Sequence, residues 1–244
     1  MRIAALSDIH GNVRALEAVL ADIDHQNVDE IVNLGDCAYG PFDPSPVMDW
    51  LMTNDIPTVR GNEDVVLAAG PAGQEPRMAP FCRSRLSPSA LTWLDALPLV
   101  RTVSGALLFH GTPRNESTYL LTAVTQNGPR TRPREEIAAM LPGISAPLLL
   151  CGHDHTPRHI QLANGTHIAN PGSVGCPAYA DDVPAPHAIE NGTPHARYAL
   201  IDSGNSSLEV ALLTIAYDSA AAADEAMSNG FPDWAQWLAS GRVT

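Results

Sequence analysis

Seven side chains able to hold a metal ion recur along this 244-residue chain, each shortly after an apolar run. Asp8 and His10 follow Ile3–Leu6, Asp36 follows Ile31–Leu34, and Asn62 follows Ile56–Val59. His110 follows Leu107–Phe109, and His153 and His155 follow Leu148–Leu150. A glycine stands beside each group, at Gly11, Gly35, Gly61, Gly111 and Gly152, where it allows sharp turns and close backbone approach. Taken singly, Asp8 or Asp36 reads equally well as a helix cap, and a lone histidine such as His25, His159 or His187 as surface or core filler. Taken together, two aspartates, four histidines and one asparagine from five run ends supply the ligands for two metal ions. Mixed imidazole and carboxylate donors suit Mn, Fe, Zn or Ni better than Ca or Mg alone.

The runs must then be strands whose carboxyl ends gather at one edge, where ligands collect in α/β sheets. Val13, Leu16, Leu20 and Ile23 recur at helical spacing behind the first run, and a helix around Val47–Met52 follows the second. Ser87-Pro88 opens another helix, with serine as cap and proline in the first turn. This alternation predicts an α/β core containing parallel strands. Leu99–Val103 and Ala106–Phe109, joined through Ser104-Gly105, predict a hairpin; Asn164-Gly165 predicts a second. Ser203–Asn205 predicts a third, ahead of a strand over Ser207–Thr214. Pro133–Leu141 reads as a helix and Pro147–Cys151 as a buried strand. Residues 70–86 read as a surface excursion and Pro177–Pro194 as a surface loop. The alanine-rich stretch 217–240 reads as a helical tail, with Trp234, Trp237 and Leu238 as a packing face. No repeat or linker interrupts the chain, so a single domain over 1–244 is expected.

Composition removes other chemistries. The formal net charge is −13, and all 14 basic residues are arginine. An acidic chain lacks the basic surface that extended nucleic acid or anionic membrane requires. Without lysine there is no Walker-type phosphate loop, Schiff-base nucleophile or lysine general base. Cys37, Cys82, Cys151 and Cys176 show no paired spacing and read as reduced thiols. The longest early apolar run, Ile3–Leu6, is too short for a signal-peptide core, and a cytoplasmic location is expected.

Asp8-Ile9-His10, Gly35-Asp36, Gly61-Asn62-Glu63-Asp64, His110-Gly111 and Gly152-His153-Asp154-His155 resemble the ordered motifs of the calcineurin-like metallophosphoesterases. Asn170-Pro171-Gly172-Ser173-Val174-Gly175 further resembles the small bacterial phosphodiesterase branch of that superfamily. The resemblance implies an α/β fold, a four-layer α/β/β/α sandwich with two mixed sheets. It places Asp8, His10 and His155 on one metal and Asn62, His110 and His153 on the second, with Asp36 bridging. Manganese is expected to support activity in vitro. Two such cations lower the pKa of a bridging water, whose hydroxide attacks phosphorus in line. Asn62, Glu63 and Asp64 are then the expected catalytic group, and Asn12 and Arg114 the expected substrate contacts.

One position departs from the family pattern. Glu63 stands where the common motif has a histidine thought to protonate the leaving group. Beside two dications a carboxylate stays ionised and donates no proton at neutral pH. Its charge also repels a phosphomonoester dianion more than a diester monoanion. The expected substrate is therefore a small phosphate diester of cyclic nucleotide, glycerophosphodiester or dinucleotide type. A phosphomonoesterase or protein phosphatase on the same scaffold remains the alternative. A non-catalytic scaffold, like the retromer subunit related to this family, is disfavoured because all seven ligands are present. The expected partner is a small phosphate ester, with oligomeric state left open.

Overall fold

A computed structural model describes residues 1–71, 73, 75–204 and 208–244. The amino-terminal half runs β1 (Arg2–Leu6), α1 (Val13–Ile23), β2 (Glu30–Asn33), α2 (Ser45–Thr53), α3 (Asn62–Ala68), α4 (Met78–Arg83) and α5 (Pro88–Asp95). The chain continues through β3 (Val100–Val103), β4 (Ala106–Phe109), β5 (Thr122–Thr125), β6 (Gly128–Thr131), α6 (Arg134–Ala139) and β7 (Leu148–Leu150). It closes with β8 (Arg158–Gln161), β9 (His167–Asn170), β10 (Ala178–Asp181), β11 (His187–Glu190), β12 (Ala196–Ser203), β13 (Leu208–Ile215), α7 (Ser219–Ser228) and α8 (Pro232–Ser240).

Two mixed sheets form the centre, ordered β13-β12-β1-β2 and β3-β4-β7-β9-β8. In the first, β1 runs parallel to β2 and antiparallel to β12. In the second, β4, β7 and β9 are parallel and the edges β3 and β8 antiparallel. Period-two alternation decides which layer each side chain meets. Ile3 and Ala5 join Leu108, Leu148, Leu150 and Ala169 in an apolar layer between the sheets. Ala4 and Leu6 turn the other way, onto Leu16, Val19, Met48 and Leu94 of the helices. Phe109, Leu149 and Ile168 face Ile137 of α6 on the opposite flank. These three apolar layers define the α/β/β/α sandwich.

Several local expectations need correction. Ile56–Val59 is not a strand; it touches the first sheet through a single parallel bridge, Asn33 to Thr58. Pro177–Pro194 is not merely a loop, because it carries the β10–β11 hairpin. The excursion 70–86 contains α4, whose Met78, Ala79 and Cys82 are buried. Asn205 of the expected third hairpin turn and Ser207, the expected start of the strand after it, lie outside the described residues. Among the described residues no helix is long and apolar enough to cross a membrane.

Candidate metal centre

The loops that follow β1, β2, β4 and β7 are joined backbone to backbone. Asp8, His10 and Gly11 donate their N–H groups to the carbonyls of Gly35, Asp36 and Cys37 at 2.9–3.0 Å. Within the second sheet Gly152 donates to His110, and across the sheets Val174 and Gly175 donate to Ser7 and Asp8. Gly152 allows this approach: a Cβ there would lie 2.0 Å from Ser7 Oγ and 3.0 Å from Asp8 Oδ2. Within this frame Asp8, His10, Asp36, His153 and His155 all take left-handed backbone angles, with φ between 50° and 72°. Such a conformation costs a non-glycine residue about 1–2 kcal/mol. Strain of this kind persists where surrounding structure over-determines it, and it concentrates at functional sites.

Three imidazoles are held in one orientation. Nδ1 of His10, His110 and His155 lies 2.7, 2.7 and 2.8 Å from the carbonyls of Tyr39, Leu34 and Cys176. A proton on each Nδ1 leaves the Nε2 lone pairs facing inward, the usual arrangement behind a metal-binding histidine. His10 Nε2 and His155 Nε2 are 3.1 Å apart. His110 Nε2 is 3.1 Å from Asn62 Oδ1 and 3.2 Å from Asp36 Oδ2, and His155 Nε2 is 3.2 Å from Asp8 Oδ1. Ligand atoms of Asp8, His10 and Asp36 fall within 4.8 Å of one another, as do those of Asp36, His110 and His153. Asp36 is common to both groups, the placement a bridging ligand requires. Asp8 Oδ1 is buried without a hydrogen-bond partner. Facing lone pairs and an orphaned carboxylate oxygen are costly together unless a cation lies between them. The donor set therefore fits divalent metal.

Burial and mutual charge shift the protonation of these groups. Burial would raise Asp8, but His155 and His110 hold it well below the usual carboxylate range. Asp36 is likewise lowered, burial being outweighed by His110. Burial opposes charge on His110, yet Asp36 and Asp8 raise it to about 10. His10 is raised to about 9, with Glu63, Asp36 and Asp8 overcoming burial. His153 stays neutral, pushed down to about 3 by burial and by His110. Burial and Asp36 push Glu63 up to about 7. Its Oε2 lies 3.1 Å from His10 Nδ1, whose proton goes to the Tyr39 carbonyl, so that oxygen has no hydrogen-bond partner.

The remaining expected site residues separate. Asn62 and Glu63 line the pocket beside the cluster. Asp64 turns beneath it instead. Its carboxylate accepts the N–H groups of Asp36, Gly61 and Cys37 at 2.8–2.9 Å, holding the bridging position in place. Asn12 is not free to meet substrate: it caps α1 through Ala15 N and donates to Gly175 O and the Tyr217 hydroxyl. Arg114 is exposed, is not among the residues lining the pocket, and donates to the Pro142 carbonyl. Replacing Asp64 by Asn puts an amide N–H against backbone N–H groups. An unsatisfied buried group of this kind costs about 1–3 kcal/mol. Asp64→Asn should therefore lower the melting temperature and weaken metal binding about 10–100-fold, the usual cost of disturbing a supporting residue. Thermal melts and metal titration check this; unchanged metal affinity would remove Asp64 from that role.

Tyr119 and Tyr179 gave no signal in the motifs, and Asp154 lay within one without an assigned role. Tyr119 lies 4.4 Å from the His153 ring and Tyr179 4.6 Å from the His155 ring, centroid to centroid. The two hydroxyls meet at 2.7 Å, and Tyr119 also reaches His187 Nε2 at 3.1 Å. Asp154, between the two ligand histidines, is locked by Thr122, Arg158, Asn170 and Thr156 N. Trp234 and Trp237, read as packing alone, line the pocket.

Two stacked mixed sheets with histidine and aspartate at their carboxyl ends make this a metallophosphoesterase fold. The model of the calcineurin-like phosphoesterase superfamily domain matches residues 1–189, and the chain belongs to that superfamily. An uncharacterized protein of Methanocaldococcus jannaschii is 24% identical, over 95% of this chain and 94% of its own. A metallophosphoesterase from Sphaerobacter thermophilus superposes with a TM-score of 0.77 at 25% identity, covering 99% of both chains. A hypothetical protein from Pyrococcus horikoshii superposes with a TM-score of 0.74 at 20% identity, over 99% of this chain and 98% of that one.

Proposed function

We propose that this chain hydrolyses small phosphate diesters with two divalent cations, manganese being the first to test. The observation that carries the reading is the convergence of seven side chains, of which His10, Asp36, Asn62, His153 and His155 line one pocket while Asp8 and His110 are buried, around a carboxylate oxygen that lacks a partner. Asp8, His10 and His155 would hold one cation, Asn62, His110 and His153 the other, and Asp36 both. Cations so held supply a nucleophile from water near neutral pH and offset charge on the phosphoryl oxygens.

The chain's own groups do the rest. Backbone carbonyls of Tyr39, Leu34 and Cys176 fix the imidazole orientations, so no reorganisation is needed at each turnover. Glu63 and Asp181 put carboxylates on the pocket wall, and no arginine stands among its described lining residues. That wall disfavours the second negative charge of a monoester. A carboxylate roughly 10 Å from the extra charge, at an effective dielectric near 20, costs about 1.7 kcal/mol. This corresponds to roughly tenfold or somewhat more in selectivity.

Turnover of p-nitrophenyl phosphate and bis-p-nitrophenyl phosphate by the Mn-loaded protein tests this directly. The diester should be preferred, and Glu63→His should shift the ratio toward the monoester by about tenfold. A strong wild-type preference for the monoester overturns the diester assignment.

A further inference from the structure

We infer that α8 supplies the pocket with a stacking subsite for a nucleobase, making the substrate a nucleoside phosphoester; this rests on the hydrolase reading above. Two indoles run outward from the metal ligands in sequence. Trp234 sits edge-on to His10 with ring centroids 5.5 Å apart, and Trp237 lies 5.6 Å beyond Trp234. Their structural roles differ. Trp234 packs against the buried clusters that include Phe42, Ala226 and Leu238, so burial alone accounts for it. Trp237 belongs to no apolar cluster among the described residues; it is half-buried, and what its ring lines is the pocket. An indole presented to a cavity beside a phosphoryl site offers a flat, sequence-tolerant face, on which every base can stack.

The wall is preformed. Gly192 donates to the Gly241 carbonyl at the end of α8, and Glu190 accepts from Val243 N. At the other end, the Arg77 guanidinium binds the carbonyls of Asn229 and Gly230 and lies over the Phe231 ring. A rigid wall reduces the ordering cost of binding. Size and charge restrict the occupant further. The cavity is about 330 Å³, at the small end of the roughly 300–1,000 Å³ typical of ligand pockets. It suits one nucleoside and one phosphate. Asp181 at the rim offers a carboxylate to sugar hydroxyls, whereas among the described lining residues no arginine awaits a second phosphate. A glycerol ester would leave the indole unused.

Calorimetric binding of AMP and of ribose 5-phosphate to the Mn-loaded protein isolates the base, because the two share sugar and phosphate. AMP should bind about tenfold tighter, the scale of one base–aromatic stack. Trp237→Ala should bring the two affinities together, and Trp237→Phe should restore part of the difference. Equal affinities in the wild type, or a Trp237→Ala effect equal on both probes, overturn the subsite whatever the turnover. A base-dependent difference in a protein that hydrolyses no ester upholds the subsite and rejects the hydrolase reading instead.

Discussion

Asp36→Asn should lower phosphodiester turnover on the order of 10³-fold while the protein remains folded. The carboxylate stands in two of the candidate groups, one with Asp8 and His10 and one with His110 and His153. Losing it weakens both cation sites together rather than one. Cation stabilisation of a phosphoryl transition state is worth several kcal/mol. Each 1.36 kcal/mol is a factor of ten in rate, so three orders of magnitude is the natural scale. The fold should survive for local reasons. Asp36 Oδ1 accepts Glu63 N at 2.9 Å, and an asparagine oxygen can do the same. The backbone bonds that join Asp36 to His10 N and to the Asp64 carboxylate need no side chain. The measurements are kcat, metal content by atomic emission, and circular dichroism. A variant with two bound metals and turnover within tenfold of wild type would show that Asp36 is not the bridge. A wild-type protein that holds no metal and gains no turnover with added Mn²⁺ would favour a binding scaffold over an enzyme.

The candidate cluster was legible because its code is local. Each candidate ligand follows an apolar run and sits beside a glycine, and the fold brings those loops together by ordinary strand pairing. Hairpins at Ser104-Gly105 and Asn164-Gly165 were legible for a similar reason. Ser104, Gly105 and Gly165 all have positive φ, which the turn chemistry announces. What a helix does with consecutive residues was harder to read. Asn62, Glu63 and Asp64 open α3, where successive side chains diverge by about 100°. Two therefore meet the pocket while Asp64 turns under it to hold the Asp36 loop. Asn12 carried a readable warning, being an asparagine just ahead of a helical pattern, and the cap it makes uses its side-chain oxygen.

The pocket wall was not legible at all. Periodicity shows that Trp234 and Trp237 share one side of α8; it cannot say which distant element that side will cover. Tyr179 lies in a short strand flanked by proline and aspartate, so no run announced the β10–β11 hairpin. The candidate ligands sit on loops at strand ends and, for Asn62, at the start of α3. The specificity wall comes from segments placed by long-range packing, such as Arg77 on the turn before Phe231.

Metal binding should release at least two protons at pH 7, and chelator-treated protein should lose stability as pH rises while the loaded protein does not. Without cations His10 and His110 titrate at about 9 and about 10, so both rings are protonated at neutral pH. His153, at about 3, is already neutral. A cation needs the Nε2 lone pair and must displace the proton from each ring. The combined affinity for two metals should therefore rise about 100-fold per pH unit between pH 7 and 8 and less steeply as His10 deprotonates near pH 9. Calorimetry in buffers of different ionisation enthalpy counts those protons, and a pH-independent affinity would refute the assignment. The stability signs follow from the same groups. His10 and His110 have folded values above the ordinary 6.5. Their contribution is fully present below about 6.5 and is lost as pH rises through about 9 and about 10. Glu63 and Asp64, raised to about 7 and about 6, lose their contribution over a lower window, upward from the ordinary carboxylate values near 4. Asp8 and Asp36 are lowered and act oppositely, losing theirs only as pH falls below about 4. The metal-free protein should thus be most stable in mildly acid solution and melt progressively lower toward pH 10. Bound cations replace the ring protons as partners for Asp8 and Asp36, so the loaded protein keeps its melting temperature over the same range. A metal-free melting temperature that rises toward pH 10 would mean that the carboxylates and imidazoles are not paired as the cluster geometry has them.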